Sequence, residues 1–324
     1  MANDVKVVIE LTKASGKIGF GYPLILAANE SKAIAYTEVR SLTEIVNAGF
    51  TAGSDVYKAA QILFMQNDAP GKIAVCGATG TAVEALPGLL GEGWRQLIVT
   101  DHEEETVTAV SNYIEACGKY CMYFTVGEAG ASANERTVMI AYDDGAIFPE
   151  AALVGATAGM DAGSFTYKNI ILKGVTAQAY TDSEVAALHE KGVITILRKA
   201  GDIVTSEGIT LSKEYADIVD TKDWIIEQIA FRGQSLMNRV PKLPYDNRGI
   251  AALEGETVSA LKVAADMGMI AVTDDGTYDY SVNFASRAEC DANDITARHY
   301  NGGQFRFVLA GAIHEAEITG EVIA

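Results

Sequence analysis

The segment best suited to chemistry is Lys72-Ile73-Ala74-Val75-Cys76-Gly77-Ala78-Thr79-Gly80-Thr81, an apolar strand that runs into a glycine turn ahead of a helical stretch. Nucleotide-binding folds use such a turn to aim backbone N–H groups at phosphate. Here Val83 stands where a third glycine would fall, and no Lys-Ser/Thr pair follows to meet the phosphates. Two readings of Gly77 to Gly80 therefore stand. One is the phosphate turn of a cytoplasmic α/β enzyme, and the other is the steric preference of any strand-to-helix turn for glycine.

The remaining reactive side chains form no constellation. His102, His189, His299 and His314 are scattered, without the spacing that focuses a metal on one helix face. Cys117 and Cys121 lie one helical turn apart, but no second pair or adjacent histidine completes a tetrahedron, so they read as core or half-buried thiols. Asp101-His102-Glu103-Glu104-Glu105 reads as the solvated start of a helix, where carboxylates meet the positive end of the helix dipole. Asp143-Asp144-Gly145 and Asp274-Asp275-Gly276 read as turns, and neither has the alternating oxygen ligands of a calcium loop. No G-x-S-x-G elbow occurs. The residues predict no catalytic site, no cofactor and no metal.

The elements around these residues alternate. A helix is expected over Val56 to Phe64, a strand over Lys72 to Cys76, a helix near Val83 to Leu90 and a strand over Gln96 to Thr100. A helix over Glu104 to Ala116 and strands over Cys121 to Val126 and Thr137 to Tyr142 follow, an order that predicts a parallel or mixed sheet. Ala151 to Ala162 is rich in small residues, as in a helix packed closely on a neighbour. Beyond it come a short strand at Ile170 to Leu172, a helix over Ser183 to Lys191, and strands at Val193 to Leu197 and Ile209 to Leu211 expected to pair. The pattern changes near residue 205. Two long helices, Asp220 to Asn238 and Gly249 to Gly268, then precede strands at Gln304 to Ala310 and Ala312 to Ile323.

With 324 residues the chain can hold two domains, and 49% apolar against 21% charged residues is the balance of a globular protein. Its 43 acidic and 25 basic residues leave a net charge of −18, which argues against a nucleic-acid partner. No run is long and apolar enough to suggest a membrane span, and Met-Ala-Asn-Asp lacks the profile of a signal peptide, so a cytoplasmic origin is expected. Four cysteines in so long a chain make no disulfide framework.

At the N-terminal end Val5, Val7, Ile9 and Leu11 alternate on one face of a strand, and Gly16, Gly19 and Gly21 separate it from the next apolar run. A strand at each end has two uses. Each can close its own chain's sheet, or each can be donated to a neighbour's, where backbone bonds give affinity and alternating side chains give register.

Several segments taken together resemble contractile tail sheath proteins. They are Ile18-Gly19-Phe20-Gly21-Tyr22-Pro23-Leu24-Ile25-Leu26, the helix from Tyr57 to Gln66, Pro70-Gly71-Lys72-Ile73-Ala74-Val75, and Gly163-Ser164-Phe165-Thr166-Tyr167-Lys168 with Gly174-Val175. Asp223-Trp224-Ile225, Leu243-Pro244-Tyr245-Asp246-Asn247-Arg248-Gly249-Ile250 and the closing Gly311-Ala312-Ile313-His314-Glu315-Ala316-Glu317-Ile318-Thr319-Gly320 continue the likeness in the same order.

The resemblance implies a non-enzymatic subunit of a phage tail sheath or a phage-tail-like bacteriocin, assembled in the bacterial cytoplasm and built into the tail. Rings of six subunits would stack around a tail tube, with the baseplate and the tail terminator as further partners and no nucleic acid or membrane. The fold it implies is α/β with α+β character, two domains with mixed sheets flanked by helices. Residues 1–20 would form an N-terminal arm, 21–204 an outer domain, 205–310 an inner, tube-facing domain and 311–324 a C-terminal arm. Val5, Val7, Ile9, Leu11, Ile313, Glu315, Glu317, Ile318 and Val322 are then the expected inter-subunit strand residues, and glycines at 16–21, 302, 303 and 311 the expected joints. Arg232, Arg239, Lys242 and Arg248 cluster in an acidic chain, either as a basic face toward the tube or as solvated helix surface. Trp224, Tyr245 and the Leu243-Pro244 turn read as packing of a helix and its exit.

Overall fold

The structure, a computed structural model, describes residues 21–319. The expected strand at Val5, Val7, Ile9 and Leu11, and Val322 at the other end, lie outside the described residues.

Tyr22–Ala27 forms β1, buried at every residue as a strand covered on both faces must be. β2 (Ile34–Val39), α1 (Leu42–Ala48), α2 (Asp55–Phe64) and β3 (Ile73–Gly77) follow. Next come α3 (Ala82–Ala85), β4 (Trp94–Val99), α4 (Glu104–Ala116), β5 (Met122–Val126) and β6 (Thr137–Ala141). α5 (Pro149–Thr157), α6 (Asp182–His189), β7 (Val193–Lys199) and β8 (Asp202–Thr205) complete this half. The eight strands make one mixed sheet in the order β2-β3-β1-β4-β5-β6-β7-β8, parallel in its centre with antiparallel β2 and β8 at the edges. This is the α/β class expected. The period-two geometry of β1 divides its side chains between two cores. Ile25 and Ala27 meet α2 and α5 on one face, and Leu24 and Leu26 meet α4 on the other.

The small-residue helix α5 packs where its composition foretells. A Cβ on Gly155 would collide with the backbone of Leu63 in α2, and one on Gly159 with the backbone of Asp68. One expected pairing is corrected. β7 pairs with β8, not with the segment around Ile209, which makes only a single bridge to Tyr215. The cause is local: Ala200 (φ +50°) and Gly201 (φ +100°) form a two-residue turn that folds Asp202 straight back onto Lys199. The expected strand at Ile170 to Leu172 is likewise reduced to one bridge, Ile171 to Val204.

The second half is built on α7 (Ala216–Arg239) and α8 (Asn247–Asp266), joined through Pro241 and Pro244. Gly249 allows the close approach of that turn, since a Cβ there would strike the Pro244 carbonyl. Strands β9 (Tyr280–Phe284) and β10 (Gly303–Phe307), with α9 (Ala292–Ala297) between them, form a separate antiparallel two-stranded sheet. α7 starts in the first core, through Ala216 and Val219, and passes into another, through Trp224 and Ile225 with Leu261 and Ala264 of α8. Among the described residues no helix is long and apolar enough to cross a membrane.

Candidate assembly interface

Where α7 crosses from one core to the other, it is clamped to the large sheet by a buried ionic cluster. Arg95 of β4 donates through Nη2 and Nε to Asp220 Oδ1 (2.6 and 3.2 Å) and through Nη2 to Asp223 Oδ2 (3.2 Å). Arg136, just ahead of β6, donates to both oxygens of Asp223 (2.7 and 2.9 Å). Tyr167 OH donates to Asp220 Oδ2 at 2.6 Å. The two guanidinium and two carboxylate charges sum to zero, and bidentate pairing of this kind is what offsets desolvation. Its mark on titration is direct. The Asp223 hydrogen bonds raise Arg136 above its ordinary range, and burial beside Asp220 pushes the Tyr167 hydroxyl well up.

The root of the C-terminal segment is held by residues next to this clamp. The His314 side chain is only 12% exposed, with Nε2 at 3.0 Å from Thr166 Oγ1 and the ring edge-on to Tyr215 at 4.7 Å. His314 Nδ1 lies 2.7 Å from Glu207 Oε1, an ion-pair distance without hydrogen-bond alignment. Lys168 Nζ donates to Glu207 Oε2 at 2.7 Å. Burial opposes the Glu207 charge, but the Lys168 hydrogen bond wins and holds its carboxyl below the usual range. Thus Thr166, Tyr167 and Lys168, consecutive in the chain, tie the arm root, the clamp and the Glu207 loop together. Around the seated His314 the segment is open. Ile313 is 89% and Ile318 93% exposed, and Glu315 and Glu317 are exposed as well. Residues 311–319 carry no strand within the single chain.

Of the expected joints, Gly311 (φ +64°) has open space around it, whereas Gly302 and Gly303 are wedged against Tyr300 and Phe284 at the start of β10. Gly21 (φ +76°) faces Arg95 so closely that a Cβ would collide with it.

The four basic candidates are spread along the end of α7 and the turn into α8. Arg232 and Arg239 line a cleft of about 250 Å³ between α7 and α8, beside Phe231, which is 69% exposed. Arg239 is paired there with Glu256 (2.8 Å), and Arg232 Nε is buried without a hydrogen-bond partner. Lys242 lines a larger groove of about 970 Å³ at the helix turn, and Arg248 is paired with Asp246 (2.9 Å). Trp224 lies in the core shared by α7 and α8, and Tyr245 braces the turn through its OH on the His299 carbonyl, as packing residues do.

The glycine turn after β3 is occupied by the chain itself. Thr81 N–H donates to the Glu84 carboxylate (2.9 Å) and Glu84 N–H to Thr81 Oγ1 (3.3 Å), a capping box on the single-turn helix α3. A carboxylate thus sits where phosphate would have to bind.

Sequence reasoning missed the clamp, although Arg95 inside the buried β4 was a signal that a partner charge must exist. It also placed His102 on a solvated helix start. His102 instead turns inward, Nε2 at 3.0 Å from Glu150 Oε1, a carboxylate with no exposed surface. The acidic start of α4 is present as expected, with Glu104 and Glu105 in its first turn, and Asp101 ahead of it accepts from Glu103 N–H and Thr106 Oγ1.

No family model and no curated protein matches the sequence. The fold has solved counterparts, and they are of one kind. A chain of the anti-feeding prophage helical sheath in its contracted state superposes with a TM-score of 0.72 at 16% identity, covering 100% of this chain and 99% of that one. The sheath complex of an extracellular contractile injection system, also contracted, gives 0.71 at 12% identity over 99% and 98%. The sheath tail protein from Listeria innocua gives 0.64 at 9% identity over 92% and 97%. The chain therefore has the fold of contractile tail sheath subunits, over essentially its whole described length.

Proposed function

We propose that this chain is a subunit of a contractile tail sheath, structural rather than catalytic, that polymerises as stacked rings of six around a tail tube and shortens to drive the tube forward. The observation that carries this reading is the end-to-end match to subunits of contracted sheaths, with a C-terminal segment rooted at His314 and otherwise exposed. A further similar chain comes from the anti-feeding prophage baseplate, six-fold symmetrised, which supports six-fold rings and a baseplate partner.

In this reading 21–204 is the outer domain and 205–310 the inner, tube-facing one, with arms at 1–20 and 311–324. Ile313, Glu315, Glu317, Ile318 and Val322 of one subunit, and Val5, Val7, Ile9 and Leu11 of another, add as strands to a neighbour's β9–β10 sheet, whose outer edges are unpaired among the described residues. Gly311 supplies the rotation between body and arm. Arg232 and Arg239, with Lys242 and Arg248 at the helix turn, face the tube. The sheath is part of a phage tail or of a phage-tail-like particle, capped by a tail terminator and assembled in the cytoplasm. Contraction proceeds by rigid-body rotation of subunits into a lower-energy lattice.

Electron microscopy of the full chain, alone and with a tail tube, tests this against a chain lacking residues 1–15. The full chain should form tubes or high-mass helical polymers, and the truncated one a folded, soluble monomer. Normal polymers from the truncated chain, or a small closed oligomer stabilised by nucleotide, refute the proposal.

A further inference from the structure

Two thiols away from the assembly surfaces are placed as a pair. Cys117 ends α4, Gly118 reverses the chain with φ +71°, and Cys121 immediately precedes β5. The loop is tight, Cys121 N–H donating to the Lys119 carbonyl at 2.9 Å. It is also gripped from outside, the Tyr120 carbonyl by Arg95 Nη1 (2.8 Å) and the Cys121 carbonyl by Arg136 Nη1 (3.3 Å). Both side chains belong to the apolar cluster beneath α4, Cys121 fully buried and Cys117 at its half-buried rim. Cys117 Sγ donates to the Ile114 carbonyl at 3.3 Å, and the Cys121 thiol packs in the same cluster. The neighbouring Cys121 thiol, aided against burial by the Lys119 N–H and the Arg136 charge, lowers Cys117 to about 6, while the nearness of Cys117 and burial hold the Cys121 thiol up. Cys76 and Cys290 likewise donate to backbone carbonyls, of Ile34 and Ser286, but neither has a second cysteine in its own loop.

We propose that Cys117 and Cys121 are a built-in oxidation site, a nucleophilic thiol with its resolving partner that closes to an intrachain disulfide on meeting a hydroperoxide. The Cys117 thiolate attacks one peroxide oxygen, so that an S–O bond forms, the O–O bond breaks and hydroxide leaves to be protonated to water. Cys117 is then a sulfenic acid. The Cys121 sulfur attacks it, the S–S bond forms, the S–O bond breaks, and the departing hydroxide takes the Cys121 proton as a second water. In sum two thiols are oxidised and one hydrogen peroxide is reduced to two waters; a dithiol reductant reverses the change. Because Arg95 and Arg136 hold the carbonyls of this loop as well as Asp220 and Asp223, the redox state is registered at the joint between the sheet and α7.

The test uses the reduced full chain, treated with hydrogen peroxide, blocked with N-ethylmaleimide and digested with trypsin. Lys119 lies between the cysteines, so peptides 96–119 and 120–136 stay joined only if Cys117 and Cys121 are bonded. The expected result is that linked pair, lighter by two hydrogens than the separate peptides, with two of the four thiols lost. Peptides 96–119 and 120–136 each carrying maleimide after peroxide, or a link through Cys76 or Cys290, overturns the proposal. In Cys121→Ser the reaction should stop at a sulfenic acid trapped by dimedone on 96–119. Alkylation of Cys117 in the untreated wild type should rise with a midpoint near pH 6. An alkylation midpoint in the ordinary thiol range, about 8.5, overturns the proposal even if the variants fail to fold.

Discussion

The clamp makes a quantitative prediction at Asp223. This carboxylate is 1% exposed and accepts one hydrogen bond from Arg95 and two from Arg136. Removing one partner of a buried pair costs about 3–5 kcal/mol, because the opposite charge is left desolvated. Here Arg95 keeps Asp220, and the Arg136 side chain is 19% exposed and can take water in exchange, so Asp223→Ala should fall at the low end, ~3–4 kcal/mol. The unfolding entropy of 324 residues, roughly 0.7 kcal/mol/K, turns that into a Tm loss of about 4–6 °C. The informative comparison is Arg136→Met/Asp223→Leu, which removes one charge of each sign and leaves the Arg95–Asp220 pair whole. With no orphaned charge, it should recover to within about 1 kcal/mol of wild type. Calorimetry and urea unfolding of wild type, Asp223→Ala and the double variant measure this. A single variant that loses less than ~1 kcal/mol, or a double variant less stable than Asp223→Ala, refutes the claim that charge compensation holds α7 to the sheet.

Four further outcomes are expected. Ile313→Asp/Ile318→Asp should leave monomer stability within ~0.5 kcal/mol of wild type, both side chains being exposed, yet abolish polymers by electron microscopy. Gly159→Val should cost at least ~1–3 kcal/mol by urea unfolding, since its side chain would meet the Asp68 backbone. Burial opposes a charge on His102, but Glu150 prevails and its pKa is raised from 6.5. Protonated His102 therefore stabilises the fold below pH 6.5 and ceases to as pH rises through its folded value; the urea-midpoint gap to His102→Asn should shrink from acid to alkaline pH, and a constant gap contradicts this. Arg232→Glu/Arg239→Glu should weaken tube cosedimentation most at low salt, where charge attraction is least screened.

Periodicity made the central architecture legible. The runs at 72–76, 96–100 and 121–126 read as strands and match β3, β4 and β5, because parallel strands bury both faces, and the stretch 104–116 reads as a helix because Val107, Val110 and Ile114 recur on one side. β2 and α1 were missed because edge strands and short helices bury too little to leave a pattern; in α1 only Ile45 is buried. The strand partner of β7 was misassigned because the turn that decides it lies in two residues, Ala200 and Gly201, whose left-handed backbone is not written in side-chain pattern. The clamp was invisible for a different reason. Arg95 and Asp220 are 125 residues apart, and only their shared oddity, a charge on a buried face, could have linked them. Three of the segments that carried the family resemblance contribute Thr166 and Tyr167, Asp223, and His314 to the clamp and the arm root.

α7 is, mechanically, a cantilever. Its 24 residues extend about 36 Å, its buried end is bolted through Asp220 and Asp223, and beyond Ile225 it touches α8 only through half-buried or exposed residues such as Ile229 and Arg239. From Asp223 to Arg239 the span, with α8 packed along it, is about 24 Å, so a tilt of ~10° at the bolted end displaces the tip by about 4 Å, more than the length of a hydrogen bond. Four charges at the fulcrum therefore govern whether Arg239 at the far end meets or misses whatever surface it is aimed at.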